Sequence, residues 1–353
     1  MGSALQETTA PFIQPESYVT GVGMSVPERV VANSHFATYL DTSEEWIEER
    51  TGIHERRWAG ETLSASELAE PACREALAAA GLGPEEIDGI IVGTSTPDYV
   101  FPSSACILQQ RLGVPNRAFA FDLSAACSGF VYALVTADAF IARGQCNNML
   151  VVGSELYSRL INPNDRSTCV LFGDGAGAIV LSRNTPSSGS ERFGKRDGAL
   201  ARGIYASELR ADGNLEHLLG VRAGSANPVT EESVRRGEHY LTMNGREVFR
   251  HAVRSISEVS ESVVARAGFA MSDIDYFISH QANKRILEAV AKQLSIPEAK
   301  ILMNVQKYGN TSAASLPILL AEASRDGRLK AGDLILLSAF GGGVTSGAVL
   351  LRW

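Results

Sequence analysis

Residues Ser124–Leu134 read SAACSGFVYAL, and residues Ser312–Glu322 read SAASLPILLAE. In each, small residues open an apolar stretch of helical length. Placing Ser124 on Ser312 sets Cys127 against Ser315. Two further pairs keep the same order along the chain. AGLGPEEIDGIIV (Ala80–Val92) matches AGFAMSDIDYFIS (Ala267–Ser279), and GAGAIVL ending at Leu181 matches TSGAVLL ending at Leu351. Three ordered pairs at nearly constant spacing read as a duplicated αβ unit.

Each copy runs from an alanine-rich helix through a glycine stop and an acidic turn into an apolar strand. The segments IDGIIVGTS, NNMLVVGSE, IDYFISH and DLILLSAF are continuous apolar runs. Such runs belong to strands covered on both faces, and their alternation with helices predicts an α/β fold with mixed, largely parallel sheets. The polar stretch Arg183–Gly198 reads as the linker between the halves. The predicted organisation is therefore a mobile extension over residues 1–16, a first half over 17–184 and a second half over 199–353. Residues Arg210–His239 are weakly periodic and are expected to form loops and short helices over the second half.

The chain has 353 residues, of which 45% are hydrophobic and 20% charged, with a formal net charge of -8. This suits two fused globular halves and argues against a general nucleic-acid binder. No apolar run reaches 18 residues, so no membrane span is expected. The N-terminus has neither the basic nor the apolar region of a secretory signal. Five cysteines, an odd number with no CxxC pair, point to a reducing, cytoplasmic setting.

Cys127 stands where the strand-like AFAFDL passes into a helix. Free N–H groups at a helix start favour negative charge, which predicts a lowered thiol pKa and a partial thiolate. The same amides suit an oxyanion, and Ser124, Ala125 and Ala126 leave room for a substrate. A buried structural cysteine is the competing reading, and it is the better one for Cys73, Cys106, Cys146 and Cys169. In the second half, His280 ends an apolar strand in SHQANKRI, and Asn310 lies before a helix in KYGNTSAAS. Each alone reads as an ordinary core or turn residue. A pseudo-twofold relation between the halves would bring all three to one centre.

DLSAACSGF, SHQANKRI, YGNTSAAS and AFGGGVTSGAVLLRW, with DTSEEWIEERTGI and DRSTCVLFGDGAGA, together resemble the β-ketoacyl-acyl carrier protein synthase III family from about Tyr18 to Trp353. The resemblance implies a thiolase-like five-layered α-β-α-β-α sandwich of two duplicated halves, and a homodimer. It implies a decarboxylative condensation of an acyl-CoA, most simply acetyl-CoA, with malonyl-acyl carrier protein. Cys127, His280 and Asn310 match the catalytic positions, and Cys127 and Gly342 the oxyanion donors. Trp46, Arg50 and Arg166 match coenzyme A contacts. Phe101, expected to enter the partner's acyl pocket, and Phe340 match the acyl-pocket positions. No cofactor is implied, coenzyme A thioester being a substrate, and no metal.

Arg246, Arg250 and Arg254 recur at i, i+4 and i+8 on one helical face, and Lys284-Arg285 follow the HQAN loop. In an acidic protein this patch is a candidate dock for an acidic carrier, although a solvated helix face explains Arg254 equally well. Arg250, Lys284 and Arg285 match docking positions of the family, whereas Arg246 stands where an Asn is common. The alternatives are a related acyl-CoA condensing or acyltransferase enzyme of secondary metabolism, a thioester hydrolase, and a non-catalytic carrier-binding scaffold. GDGAGA is read as a close-packing device.

Overall fold

The computed structural model describes residues 14–184 and 201–353. In chain order the first half comprises β1 (Ser17–Ser25), β2 (Val30–Ala32), α1 (Asn33–Ala37), α2 (Glu44–Thr51), β3 (Glu55–Arg57), α3 (Ala65–Ala80), β4 (Gly89–Gly93), α4 (Ser104–Leu112), β5 (Phe119–Leu123), α5 (Gly129–Ala142), β6 (Asn148–Leu156) and β7 (Asp174–Arg183). The second half comprises β8 (Gly203–Ala211), β9 (Leu219–Val221), α6 (Glu231–Arg235), β10 (Leu241–Met243), α7 (Gly245–Arg266), β11 (Tyr276–Ser279), α8 (Lys284–Gln293), α9 (Val305–Tyr308), α10 (Ser315–Arg325), β12 (Leu334–Gly341) and β13 (Thr345–Arg352).

The first sheet has the order β1-β7-β6-β4-β5 and the second the order β8-β13-β12-β11. Ile301 bridges Phe277 in parallel at the place β5 takes beside β4. The two sheets are one design used twice. They are mixed, as expected, with parallel and antiparallel pairs in each. β4 runs parallel to β5 and β6, and β11 to β12, but β1/β7, β6/β7, β8/β13 and β12/β13 are antiparallel. No crossover helix lies between β12 and β13, only a short turn, so the chain returns beside itself. Apolar runs told that both faces are covered, not which way the strands point.

Five layers follow from alternation along the strands. Ile90 and Val92 face α3 and α4, while Ile91 faces the centre. Phe277 and Leu336 face α7 and α8, while Ile278 and Leu337 face the centre. The central layer is α5 and α10, whose Phe130, Leu134, Leu316 and Leu319 pack between the two sheets. A helix in that position needs apolar residues around its circumference, which α5 supplies. Among the described residues no helix is long and apolar enough to cross a membrane.

The first and third sequence pairs hold in the structure. Gly81 and Gly268 both take the left-handed conformation (φ 67° and 75°). Leu181 and Leu351 occupy the same register against β6 and β12. The second pair is out by two residues. A positive φ and a 3-10 turn begin at Ala126 (φ 46°) and at Ser312 (φ 50°), so Cys127 corresponds to Ala313 and not to Ser315. A row of small residues looks much the same after a two-residue slip, so side chains alone could not fix this register.

The predicted linker lies mostly outside the described residues, as does most of the N-terminal extension. Its last residues are held: Asn184 N–H donates to Glu16 O at 2.8 Å and Asn184 Nδ2 to Pro15 O at 2.9 Å. GDGAGA is part of a strand, β7, and close packing is its role. A Cβ on Gly177 would lie 2.6 Å from the Ile318 nitrogen of α10. The region after β8 holds α6 as expected, plus the small β9/β10 hairpin, whose three-residue strands leave no periodic signal.

The halves approach closely where the turns before α5 and α10 meet. A Cβ on Gly153 would lie 2.4 Å from Ala313 O, and one on Gly341 2.7 Å from the Cys127 nitrogen. Gly153→Ala is therefore expected to cost roughly 1–3 kcal/mol, whereas Gly60→Ala, which meets nothing within 4 Å, should change stability by less than about 0.5 kcal/mol. Denaturant unfolding of the two variants checks this, and equal stabilities would contradict it.

Candidate active site

Two cavities meet at Cys127. A tunnel of about 540 Å³ runs from a rim that includes Trp46, Arg50, Arg166, Arg246 and Arg285 down to Cys127, His280 and Asn310. A second chamber of about 760 Å³ lies beyond Cys127, bordered by Ser124, Tyr157, Leu160, Leu241 and Gly342. Three side chains from sequence-distant segments thus share one floor, as the duplicated architecture led us to expect.

The helices that begin here lack caps. α2, α3, α4, α7 and α8 start with a Ser or Asn side chain on a first-turn amide. α5 and α10 have neither a capping side chain nor an acidic residue in the first turn. Their free N–H groups therefore offer positive potential to the cavity. Among the described residues, the Cys127 and Gly342 amides make no backbone hydrogen bond outside regular elements. The Thr345 hydroxyl lies 3.0 Å from Ala125 O and 3.2 Å from Gly342 O, pinning the Gly342 turn against the cysteine turn. Gly341 has to be glycine, since a Cβ would lie 2.7 Å from the Cys127 nitrogen.

His280 follows β11, its N–H donating to Ser338 O of β12 at 2.8 Å. Its Nδ1 lies 2.7 Å from Ser315 Oγ, which accepts from Gln281 N–H at 3.3 Å. In the tautomer where Ser315 donates its hydroxyl proton to Nδ1, Nε2 carries the ring N–H. Burial pushes the imidazole down to about 3, so His280 is neutral and a donor. Asn310 is clamped by the first half: its N–H donates to Leu171 O at 2.8 Å and its carbonyl accepts from Gly173 N–H at 3.0 Å. Its Oδ1 accepts from Ser312 N–H at 2.9 Å, which leaves the Nδ2 hydrogens for a ligand.

The expected partial thiolate is not what the surroundings produce. Burial pushes the Cys127 thiol up to about 12, and the nearby Glu155 charge pushes the same way, against hydrogen bonding to Ser312 and its own amide. Cys127 is 4% exposed, and withdrawal from water is the largest influence on its thiol. Ser312 Oγ stands 3.4 Å from Cys127 Sγ and 3.0 Å from Glu155 Oε1. Glu155 also accepts from Ser95 N–H at 3.0 Å and Thr96 Oγ1 at 2.8 Å, yet burial still raises its carboxyl to about 7. Ser312, Ser315 and Glu155 were missed in the sequence. The available signal was a lone carboxylate ending the buried run NMLVVGSE.

At the rim, Trp46 lies between two guanidiniums, Arg50 at 4.9 Å and Arg166 at 4.6 Å from its ring centre. Arg166 also reaches the Asp41 carbonyl and, at 3.9 Å, its carboxylate. Asn283 Nδ2 donates to Arg50 O at 3.0 Å, tying α2 to α8 across the mouth. Arg250 pairs with Glu247 at 2.5 Å, Arg254 with Glu258 at 2.8 Å and Lys284 with Glu288 at 3.6 Å. Arg285 makes no ion pair among the described residues and faces the tunnel mouth. The two predicted acyl-pocket phenylalanines are not brought together. Phe340 lines the tunnel and not the chamber beyond the thiol, while Phe101 is 84% exposed and lies outside both cavities.

Residues 121–196 match the family model for 3-oxoacyl-[acyl-carrier-protein] synthase III, and residues 264–353 match the model for its C-terminal part. The chain is 48% identical over 337 residues to the β-ketoacyl-[acyl-carrier-protein] synthase III of Brucella anthropi, covering 96% of this chain and 99% of that one. It superposes on the crystal structure of 3-oxoacyl-[acyl-carrier-protein] synthase III from Aquifex aeolicus with a TM-score of 0.85 at 46% identity, covering 96% and 100% of the two chains. The Pseudomonas aeruginosa enzyme of the same name gives 0.85 at 40%, covering 96% and 98%. With its thiolase-like fold, the chain is an acyltransferase-type condensing enzyme belonging to the β-ketoacyl-[acyl-carrier-protein] synthase III family.

Proposed function

We propose that the chain condenses an acyl-CoA primer, most simply acetyl-CoA, with malonyl-acyl carrier protein, giving β-ketoacyl-acyl carrier protein, coenzyme A and CO₂ as the first step of fatty-acid synthesis. The observation that carries this reading is one tunnel with a cation-and-tryptophan rim and Cys127, His280 and Asn310 at its floor. An adenine is expected on Trp46 beside Arg50 and Arg166, with the pantetheine arm descending to the sulfur. Cys127 sulfur attacks the thioester carbonyl, and the free amides of Cys127 and Gly342 receive the oxyanion. The acyl chain then lies in the second chamber.

Coenzyme A leaves, and the carrier's arm enters the same tunnel. His280 Nε2–H and Asn310 Nδ2–H donate to the malonyl thioester oxygen. They stabilise the enolate left as CO₂ departs, and its carbon attacks the acyl group on Cys127. One sulfur serving two substrates in turn implies ping-pong kinetics. The steps use only the chain's own groups.

Arg285, with Arg246 at the mouth, supports docking of an acidic carrier. Arg250 and Lys284 contribute from exposed positions, already paired on their own helices. A homodimer is part of the proposal. β5 is a sheet edge carrying the half-buried Phe119 and Phe121, and Tyr99, Val100 and Phe101 stand exposed. Phe101 would then line the partner's chamber rather than its own.

Intact mass after incubation with a series of acyl-CoAs tests the first step. An adduct of matching mass should form and be absent from Cys127→Ala. His280→Ala and Asn310→Ala should still acylate but lose roughly 100-fold or more in malonyl decarboxylation, and normal condensation by either variant would overturn its assignment. Because burial keeps His280 neutral to about pH 3, decarboxylation by acylated protein should show no His280 ionisation between about pH 5 and 9. An inflection near 6.5 that disappears in His280→Gln would contradict this. Arg166→Ala should raise KM for acyl-CoA about 10-fold with little change in kcat, and Arg285→Glu should do the same for the carrier alone. A charge reversal without effect on carrier KM would remove Arg285 from the dock.

A further inference from the structure

The reaction above leaves one proton unassigned. Cys127 rests as a thiol, and its attack on a thioester has to release that proton. His280 makes its Nδ1 contact with Ser315, and burial disfavours its charged form. Another acceptor is linked to the sulfur through Ser312. Glu155 is fully buried at the end of β6, and among the described residues no cation pairs with it. Thr94, Ser95, Thr96 and Ser312 place donors around its two oxygens. A pocket of donors without a counter-charge is costly for a carboxylate and has no use in packing alone.

We propose that Glu155 and Ser312 form a proton relay for Cys127, with Ser312 touching the sulfur and Glu155 acting through it as a positioning and proton-accepting residue. The inference rests on the acyl-Cys127 reading above. Ser312 has one hydroxyl proton. Its oxygen is within donating reach of both Glu155 Oε1, at 3.0 Å, and Cys127 Sγ, at 3.4 Å; in the relay that proton is committed to Glu155 and the thiol proton turns to Oγ. As the sulfur electron pair forms the bond to the carbonyl carbon, the S–H bond breaks and its proton moves to Ser312 Oγ. The proton of Ser312 moves to Glu155 Oε1. When the tetrahedral adduct collapses, coenzyme A departs with the electron pair of its C–S bond, and the proton stored on Glu155 neutralises that thiolate.

The geometry holds this chain in place. Ser312 sits at φ 50°, in the left-handed region that serine rarely adopts, and Asn310 Oδ1 holds its N–H. The titratable groups facing Glu155 are Cys127 and Tyr157, both of them neutral acids raised by burial, and its other neighbours are hydroxyls and an amide. The carboxyl sits at about 7, near the working pH at which a general base is most effective.

The test has a sign built into it. If Glu155 were a bystander charge, its removal would ease formation of the thiolate, and Glu155→Gln would acylate faster. The relay requires the opposite. In the full-length protein, formation of the acetyl-CoA adduct at Cys127, followed by rapid quench and intact mass, should be slowed about 100-fold in Glu155→Gln. The wild-type rate should fall as pH drops through about 7, as Glu155 takes a proton, and the variant should lack that limb. Ser312→Ala should slow acylation to a similar degree, and the double variant should be no slower than the slower single one. This second series decides the matter if Glu155→Gln does not fold. Wild-type protein that acylates while the single variants keep its rate or pH limb, or lose rate additively, overturns the relay alone. Wild-type protein that takes no acyl group at Cys127 overturns the relay together with the function on which it rests.

Discussion

The site depends on one close approach, that of the turns opening α5 and α10. Gly153 lies where any side chain would strike the Ala313 carbonyl, and Gly341 where one would strike the Cys127 amide. Small residues here let two helix starts from different halves point at one volume. Each half alone would present half a floor. The second-half loop carrying Asn310 is in turn clamped by Leu171 and Gly173 of the first half. The same contacts therefore hold the halves together and align the reactive groups.

Burial then decides which protonation states exist. Water is kept from Cys127, His280 and Glu155 alike, but the consequences differ in sign. The imidazole is held neutral and the thiol protonated, and the carboxyl moves to about 7. A neutral histidine suits hydrogen-bond donation. A protonated cysteine does not suit attack until its proton has somewhere to go. The uncapped helix start favours negative charge as it develops on the sulfur, while burial holds the resting thiol up.

Much of the fold was legible because duplication leaves paired marks: Gly81 and Gly268 stop equivalent helices, and Leu181 and Leu351 take the same register in equivalent strands. Strand direction was not legible, since an apolar run looks the same read either way. The register of Cys127 slipped by two because SAAC and SAAS differ little after such a slip, whereas a positive φ at Ala126 and Ser312 has no required letter. Cys127, His280 and Asn310 could be placed at one site from motifs. Ser312, Ser315 and Glu155 could not, because a hydroxyl or carboxylate acquires meaning only from a neighbour that the fold delivers across 35 to 185 positions.

The Trp46 stack bears on how firmly the tunnel mouth is set. The Arg50 and Arg166 guanidiniums lie 4.9 and 4.6 Å from the indole centre, and Arg166 in turn leans on Asp41. Each such contact is worth about 0.5–1 kcal/mol at an exposed site. The indole is thereby braced in one orientation, so a flat ring seated beside it would meet a surface already set rather than one it has to order.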